Sequence, residues 1–538
     1  MAFCLSSFSL CSFPVHSKWK SFSYDGSSFR KSTVFSASQS DTTNRTSIED
    51  ANITRRSANY HPSIWDYGYV QSLRNDFVQD ESYQVRASKL KEEVRMMLGK
   101  VVDPLEKLEL IDTLQRLGLS YHFDAEINKT LKNISTDRIN SVAWKKDNLY
   151  ATALEFRLLR QNGYKVDQDV FTCFMDDVGN IKSSLNQDFK GLLSLYEASY
   201  LILEGETILE NARELVAKLL KQYLKENNDH QYLWMLVDHK NKDKNPIILE
   251  LAILDYNIVQ SIHQEDLRYV STAGMIIAPE DGKSRIFHTM VNALITVIDD
   301  VYDVYGTLDE LELFTDVVER WDINEIHRLP DYMKIYYHAL YNSEQGIDVI
   351  PFLKKLWTDL CKAYLVEAKW YYTGYTPTLQ EYIDNAWISV GGSLMLAHSY
   401  LVTDHITEEG LHNIQENYSD IIYGSSLIIR LTNDLGTSPH ELKRGDIPKS
   451  VQCYMYESGV SEEEAREHIR KLIDATWKKI NEDQMAKLPF SRKFIEISKN
   501  IARVSLLMYQ NGDGHGIEDK ETKDRVLSLF VNPISLPK

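Results

Sequence analysis

One apolar segment that ends in three aspartates constrains this chain more than any other stretch. It runs from Val291 to Asp303 and reads V-N-A-L-I-T-V-I-D-D-V-Y-D. On an α-helix the i, i+4 spacing places Asp299 and Asp303 on one face, whereas Asp300 points about 100° away. Two stacked carboxylates at the end of an apolar segment repel each other unless a cation lies between them, and hard oxygen ligands suit Mg²⁺. The alternative for the motif alone is a solvent-exposed helix end.

A second polar cluster follows another apolar run, within L-I-I-R-L-T-N-D-L-G-T-S-P-H-E. Asn433, Thr437 and Glu441 recur at every fourth position, which on a helix forms one stripe of oxygen-bearing side chains. An amide, a hydroxyl and a carboxylate are a plausible ligand set for Mg²⁺. Arg430 and Lys449 lie nearby in sequence, and cations beside metal ligands indicate a bound anion, most naturally a phosphate or diphosphate.

A proline lies inside that stripe and leaves two alternatives open. Within a continuous helix, Pro439 removes the hydrogen bond to Leu435 and costs about 3 kcal/mol or more. Either the helix kinks at Pro439, or a new helix begins there with Ser438 as its N-cap. In the second case the stripe of ligands is imperfect.

Most of the chain has helical periodicity, and no stretch has a run of alternating strands. The clearest apolar face lies between Pro104 and Gly118 and consists of Leu105, Leu108, Ile111, Leu114 and Leu117. A further apolar run, at residues 387–401, is interrupted by Gly391-Gly392, where we expect a kink. Because 538 residues are too many for one core, we predict two all-α domains, at residues 53–262 and 263–538.

Charge, hydropathy and cysteine usage exclude several classes of function. The 60 basic and 78 acidic residues give a net charge of −18, which argues against nucleic acid as the main partner. No apolar run reaches membrane-spanning length, so no membrane partner is expected. The five cysteines are scattered without metal-ligand spacing, which indicates a reducing compartment and no disulfide framework.

Residues 1–52 have the composition of a disordered organelle transit peptide. The first forty residues are rich in Ser and Phe, and Asp25 is their only acidic residue. A secretory signal is the alternative, because residues 2–15 are fairly apolar. Serines interrupt that run, however, and no basic segment precedes it, so we favour the transit peptide.

Several motifs in a fixed order resemble those of plant class I terpene synthases, most of all the monoterpene synthases. They are Arg55-Arg56 followed by eight residues and Trp65, L-Q-R-L-G-L-S-Y-H-F at 114–123, D-D-V-Y-D at 299–303, N-D-x-x-T-x-x-x-E at 433–441, and Y-Q-N-G-D-G-H-G at 509–516. The resemblance covers essentially everything after residue 50. It implies an N-terminal α-barrel relic followed by a C-terminal class I terpenoid synthase α-bundle. It also implies a monomeric chloroplast enzyme that converts geranyl diphosphate to a monoterpene plus diphosphate.

The resemblance assigns roles to individual residues. The metal ligands, expected to bind three Mg²⁺ or Mn²⁺, would be Asp299, Asp300, Asp303, Asn433, Thr437 and Glu441. The diphosphate would be held by Arg430 and Lys449. The remaining catalytic residues would cover the mouth of the site or belong to its closing loop: Arg55, Arg56, Trp65, Tyr509 and Asp513.

Two segments typical of that family are absent from this chain. After H-Q-E-D-L-R-Y-V-S at 263–271 the family continues through a tryptophan pair and a helix containing R-D-R, whereas here Ser271 leads almost directly into Gly274. A smaller loss falls at Tyr341–Gly346. Because the first of these helices would close one wall of the cavity, we hypothesise that the chain has impaired activity or stability.

Three alternatives compete with a monoterpene synthase. A sesquiterpene synthase acting on farnesyl diphosphate is the nearest enzyme, although relatives of that kind usually lack both the leader and the Arg55…Trp65 motif. A helical protein that keeps the fold without activity is the second. Class II, protonation-initiated cyclisation needs D-x-D-D, and the nearest match, at residues 174–177, lacks the first aspartate.

Overall fold

A computed structural model describes residues 55–57, 65–136 (except 76 and 79), 145–227 (except 146), 245–273, 284–344, 350–402, 406–417, 419–486, 488–513 and 520–536. These residues are mostly helical, and apart from one isolated β-bridge between Met175 and Ile181 they contain no strand pairing. The prediction of an all-α fold is confirmed. Within the described part of the chain, no helix is both long and apolar enough to cross a membrane.

The described residues of the N-terminal half form eight α-helices. They are α1 (Tyr67–Ser72), α2 (Glu81–Lys100), α3 (Pro104–Arg116), α4 (Asp124–Thr136), α5 (Leu149–Gln161), α6 (Phe189–Ser199), α7 (Thr207–Asn227) and α8 (Pro246–Ala273). Asp80, Asp103 and Asn148 each accept a backbone N–H at a helix start, as expected for N-caps. Leu108, Ile111 and Leu114 of α3 are fully buried in the hydrophobic core of this half. Leu105, and Leu117 directly after the helix, are partly buried and pack against that core.

Helix α8 links the two halves of the chain. Ile248, Leu251 and Leu254 of this helix lie in the N-terminal core. Leu267 packs further along, with residues of α1 and of the C-terminal segment, including Phe530. The predicted boundary between residues 262 and 263 therefore falls inside one continuous helix rather than in a linker.

The C-terminal half contains the second and larger core. Its helices are α9 (Ser284–Asp300), α10 (Leu308–Arg320), α11 (Asp331–Ser343), α12 (Ile350–Thr373), α13 (Leu379–Ser389), α14 (Gly392–Leu401), α15 (Glu408–His412), α16 (Asp420–Arg444), α17 (Ser450–Ser458), α18 (Glu462–Asp483), α19 (Arg492–Tyr509) and α20 (Lys520–Phe530). One hydrophobic cluster extends from Val291 in α9 to Ala502 in α19. It supports both segments that carry the predicted metal ligands.

The aspartate-rich end of α9 differs from the expected plain α-helix. After Asp300 the chain forms a π-helical turn, Val301–Tyr305, in which the Gly306 N–H donates to the Val301 carbonyl at 2.8 Å. Asp303 therefore lies in a wider turn than the i, i+4 argument assumed. Single π-helical turns within helices are frequent at functional sites.

The glycine pair breaks its helix as predicted. Helix α13 ends at Ser389 and α14 begins at Gly392, with Gly391 between them at φ +72°. A Cβ placed on Gly391 would lie 2.9 Å from Cγ2 of Ile295, so the glycine also permits close contact with α9.

We expect Gly391→Ala to lower the free energy of unfolding by about 1–3 kcal/mol, because the alanine is strained at positive φ and clashes with Ile295. Urea unfolding followed by circular dichroism measures the change. Gly459→Ala is the matched control, since Gly459 has φ +67° but a Cβ added there would meet no atom within 4 Å. Equal losses for the two variants would show that the contact with Ile295 contributes nothing.

Helix α16 is continuous across Pro439, from Asp420 to Arg444. The alternative in which a new helix begins at Pro439 with Ser438 as its N-cap is therefore wrong. Asn433, Thr437 and Glu441 lie on this one helix, although the side chain of Glu441 is outside the part that the structure describes.

Candidate active site

The predicted metal-binding aspartates interact electrostatically with the predicted diphosphate-binding cations. Burial raises the pKa of Asp299 well above its usual range, and the charge of Asp303 raises it further. Lys449 and Arg430 act in the opposite direction on both carboxyl groups. Asp300 raises the pKa of Asp299 less than Asp303 does. The structure thus brings the end of α9 and the cations of the second cluster into one site.

The second wall is formed by α16. Thr437 is buried and Asn433 half-buried, and the Thr437 hydroxyl donates to the Asn433 carbonyl at 3.0 Å. The intervening Asp434 is fully buried and accepts hydrogen bonds from the Tyr382 hydroxyl at 3.0 and 3.1 Å. Asp434 also accepts from the Ser450 N–H at 3.2 Å. Asp434 therefore anchors α16, and the neighbouring stripe carries the predicted ligand oxygens, of which Asn433 Oδ1 accepts from Arg430 Nη1 at 3.4 Å.

A buried carboxylate that the motifs did not indicate completes the site. Lys449 Nζ lies 3.2 Å from Glu367 Oε2, and the side chains are only 5% and 2% exposed. The Ser389 hydroxyl donates to Glu367 and accepts from Arg430 Nη2 at 3.2 Å. Burial alone would raise the pKa of Glu367, but Lys449 and Arg430 outweigh it and the net pKa is lowered. Glu367 is thus the direct counter-ion of Lys449 and reaches Arg430 through Ser389, while Arg430 Nη1 also lies 3.6 Å from Asp434 Oδ1.

One sequence signal was available for Glu367. Leu360 and Tyr364 lie on the same face of α12 as Glu367, and all three are buried. A carboxylate on the apolar face of a helix is rarely buried without a partner. That pattern points to a functional group, but it does not identify Lys449 and Arg430 as its partners.

Arg55 lies next to the π-helical turn. It forms a bidentate pair with Glu310 at 2.8 and 2.9 Å and donates to the Tyr305 carbonyl at 3.2 Å. Burial raises the pKa of Glu310, but the hydrogen bond from Arg55 and other donors outweigh it and lower the pKa to about 2. The Glu310 carboxylate also accepts the Thr307 N–H, which caps α10.

Arg56 connects the two walls. It donates to the Asp303 backbone carbonyl at 3.0 Å and to Asp446 Oδ1 at 3.0 Å, just beyond α16. Its guanidinium lies over the Tyr371 ring, 4.3 Å from the centroid. The arginine pair therefore connects the π-helical turn to Glu310 and Asp446 and donates to two carbonyls of that turn.

The three remaining predicted catalytic residues are Trp65, Tyr509 and Asp513. Trp65 stacks on Tyr69 at 6.0 Å between ring centroids, at the start of α1. Tyr509 and Gly512 approach α16 so closely that a Cβ on Gly436 would lie 2.8 Å from the Gly512 carbonyl. Asp513 is the last residue described before 514–519, so most of the loop's second half lies outside the described residues.

The donors present fit a divalent cation that is shared with an anionic ligand. Within the described ranges, no group of three or more His, Cys, Asp or Glu side chains could hold a metal ion by itself. The site instead offers the mutually repelling carboxylates of Asp299 and Asp303, together with the amide of Asn433 and the hydroxyl of Thr437 on α16. Mg²⁺ is typically bound through one or two carboxylates plus phosphate oxygens and water, rather than by an all-protein cage.

Comparison with known proteins places this geometry in a family. Residues 64–240 match the family model "Terpene synthase, N-terminal domain", and residues 267–479 match "Terpene synthase family, metal binding domain". The chloroplastic myrcene synthase of Quercus ilex is 52% identical over 545 residues, covering 90% of this chain and 91% of that protein. The chain belongs to the terpene synthase family. Its predicted nature as a lyase of the monoterpene synthase type is confirmed by these relatives.

Solved structures of terpene synthases share the whole fold. Limonene synthase with 2-fluorolinalyl diphosphate has a TM-score of 0.82 and 41% identity, covering 90% of this chain and 100% of the other. Isoprene synthase from grey poplar leaves, in complex with three Mg²⁺ ions and dimethylallyl-S-thiolodiphosphate, has a TM-score of 0.76 and 40% identity, covering 88% and 99%. These matches confirm the two-domain all-α class and support the use of a divalent metal by this terpene synthase.

Two further predictions can be compared with the relatives of this terpene synthase. The chloroplast location is confirmed by relatives whose names state it. The alignment with the myrcene synthase is 545 residues long, yet it covers only 90% of a 538-residue chain. Residues of that relative therefore lie opposite gaps in this chain, in keeping with the predicted loss of internal segments.

Proposed function

We propose that this terpene synthase ionises geranyl diphosphate with the aid of Mg²⁺ and converts it to a monoterpene plus diphosphate. The carrying observation is that the carboxyl groups of Asp299 and Asp303 lie close enough to Arg430 and Lys449 for all four charges to interact. Carboxylates opposite cations suit a magnesium diphosphate, whose metal and phosphate halves need ligands of opposite charge. The site therefore binds the leaving group rather than supplying a nucleophile.

We assign the residues to roles on this basis. The metal would be held by Asp299 and Asp303 on one wall and by Asn433, Thr437 and Glu441 on the other; Mn²⁺ fits the same oxygen donors. When bound, the metal draws negative charge from the departing diphosphate. Arg430 and Lys449 bind the phosphate oxygens, and Glu367 keeps both side chains oriented until the anion arrives.

The residues at the mouth limit the access of water. Arg55 and Arg56 cover the entrance and fix the π-helical turn, and the Tyr509–Asp513 segment packs on α16 at Gly436. A carbocation survives only where water is excluded and aromatic or apolar groups surround it. Tyr302, Tyr371 and Tyr372 line a cavity together with Asp303 and Glu367 and contribute such aromatic walls. We propose that the enzyme acts as a monomer, with all these groups supplied by one chain.

The test is product formation by the full chain and by a variant that begins at Arg55. Each is incubated with geranyl diphosphate or farnesyl diphosphate, with Mg²⁺ or with a chelator, and volatiles are analysed by gas chromatography–mass spectrometry. We expect a metal-dependent C10 product and little or no C15 product. A C15 product alone would support the sesquiterpene alternative.

A second measurement separates an inactive family member from an active one. A folded chain that forms no product, but is stabilised against heat by Mg²⁺ with inorganic pyrophosphate, would keep the binding site without the reaction. That result would support the hypothesis that the missing segments impair activity, and it would contradict the proposed function.

A further inference from the structure

The proline within the metal-binding helix α16 has an unusual position. Pro439 lies midway between Thr437 and Glu441, two of the proposed metal ligands. A proline has no backbone N–H, so the Leu435 carbonyl, four residues earlier, loses its normal donor. A kink at this point would separate the two ligands, yet the helix continues to Arg444.

Arg466 of α18 supplies the missing donor. Its Nη1 donates to the Leu435 carbonyl at 2.8 Å, and its Nη2 donates to the Ser438 hydroxyl at 3.0 Å. Its third nitrogen, Nε, donates to Glu462 Oε1 at 2.7 Å, one turn earlier on α18. The planar guanidinium therefore contacts α16 at two points immediately before Pro439, with Glu462 fixing its orientation.

We propose that Arg466 is a positioning residue that keeps α16 helical through Pro439 and thereby keeps Thr437 and Glu441 in one stripe. The inference deepens the proposed function, because it rests on these two residues being metal ligands. Arg466 itself is not a ligand: its hydrogen bonds lie on the α18 side of the helix. The chain thus compensates for a helix-breaking residue in its metal site with a side chain from a neighbouring helix.

Hydrogen–deuterium exchange tests the structural half of the proposal without metal or substrate. In the full chain, Arg466→Met is expected to speed amide exchange of residues 440–444 by about tenfold, since the end of α16 opens more often. Pro439→Ala restores an N–H for the Leu435 carbonyl. The double variant Arg466→Met/Pro439→Ala is therefore expected to exchange within about twofold of the wild-type chain.

A second experiment tests the proposed effect of Arg466 on metal binding. The Mg²⁺ concentration for half-maximal thermal stabilisation, at fixed inorganic pyrophosphate, is expected to rise about fivefold in Arg466→Met and to return in the double variant. Absence of any stabilisation in the wild-type chain would refute the proposed function, whereas the exchange experiment would still decide whether Arg466 holds the helix.

Controls distinguish this role from simple packing. Glu463→Gln neutralises an exposed carboxylate in the same first turn of α18, beside the contacts of Arg466, and should leave the Mg²⁺ requirement unchanged. Arg466→Lys, which keeps the charge but not the two-point contact, should give intermediate exchange and serves if the methionine variant does not fold. The proposal would be overturned if Arg466→Met had the same effect in the wild-type chain as in the Pro439→Ala variant. Faster exchange with an unchanged Mg²⁺ requirement would overturn it as well.

Discussion

Asp299→Asn is expected to lower the rate of monoterpene formation by about 10³-fold or more while leaving the chain folded. The substitution removes one of the carboxylates proposed to hold the metal that stabilises the leaving diphosphate, and such electrostatic terms are usually the largest in catalysis. The same substitution removes a carboxyl group whose charged form is disfavoured by burial and by the neighbouring Asp303. The metal-free variant should therefore be at least as stable as the wild-type chain.

Both consequences are measured on the same preparations. Product formation from geranyl diphosphate gives the rate, and urea unfolding in the presence of a chelator gives the stability. Asp309→Asn is the control, because Asp309 is an acidic residue at the start of α10, outside the cluster of buried charges. A variant that loses activity together with metal-free stability would assign Asp299 to the fold rather than to the metal.

The sequence predicts those parts of the site that depend on spacing along one helix. The aspartates at the end of α9 and the oxygen-bearing stripe of α16 follow from the helical period, and the break at Gly391-Gly392 follows from glycine. These are local properties. The π-helical turn was not predicted because one of its carbonyls finds its donor far away in the sequence. Arg55, which donates to the Tyr305 carbonyl, is 250 residues from Tyr305.

A long-range hydrogen bond also explains why the sequence left the continuity of α16 at Pro439 open. The penalty of about 3 kcal/mol for proline in a helix assumes that the freed carbonyl finds no other donor. Arg466, 31 residues from Leu435, provides one. Nothing in the spacing of the second cluster indicates that α18 packs there, so the continuity of α16 depends on the tertiary structure. The boundary between the halves is hard to place for a similar reason, since one helix, α8, contributes to both.

Glu367→Gln is expected to lower the free energy of unfolding of the metal-free chain by about 3–5 kcal/mol, because breaking a buried ion pair leaves an uncompensated charge. Lys449 lies 3.2 Å from Glu367, and its side chain is only 5% exposed. Arg430 reaches the same carboxylate through the Ser389 hydroxyl. Urea unfolding in a chelator measures the loss, and Mg²⁺ with inorganic pyrophosphate should reverse part of it, since the anion provides a new counter-charge for both cations.

The double variant Glu367→Gln/Lys449→Met is the decisive comparison. If Glu367→Gln lowers the free energy of unfolding because the Lys449 ammonium group is left without a counter-ion, removing that group should restore at least about 1.5 kcal/mol of it. If the cost arises from lost packing or from the Ser389 contact, the double variant should be no more stable than Glu367→Gln alone. Because Glu367 would then not act as counter-ion, the second outcome would contradict its proposed part in orienting Arg430 and Lys449. If the double variant were as stable as the wild-type chain but formed no product, this buried charge cluster would be retained for diphosphate binding and not for the stability of the fold.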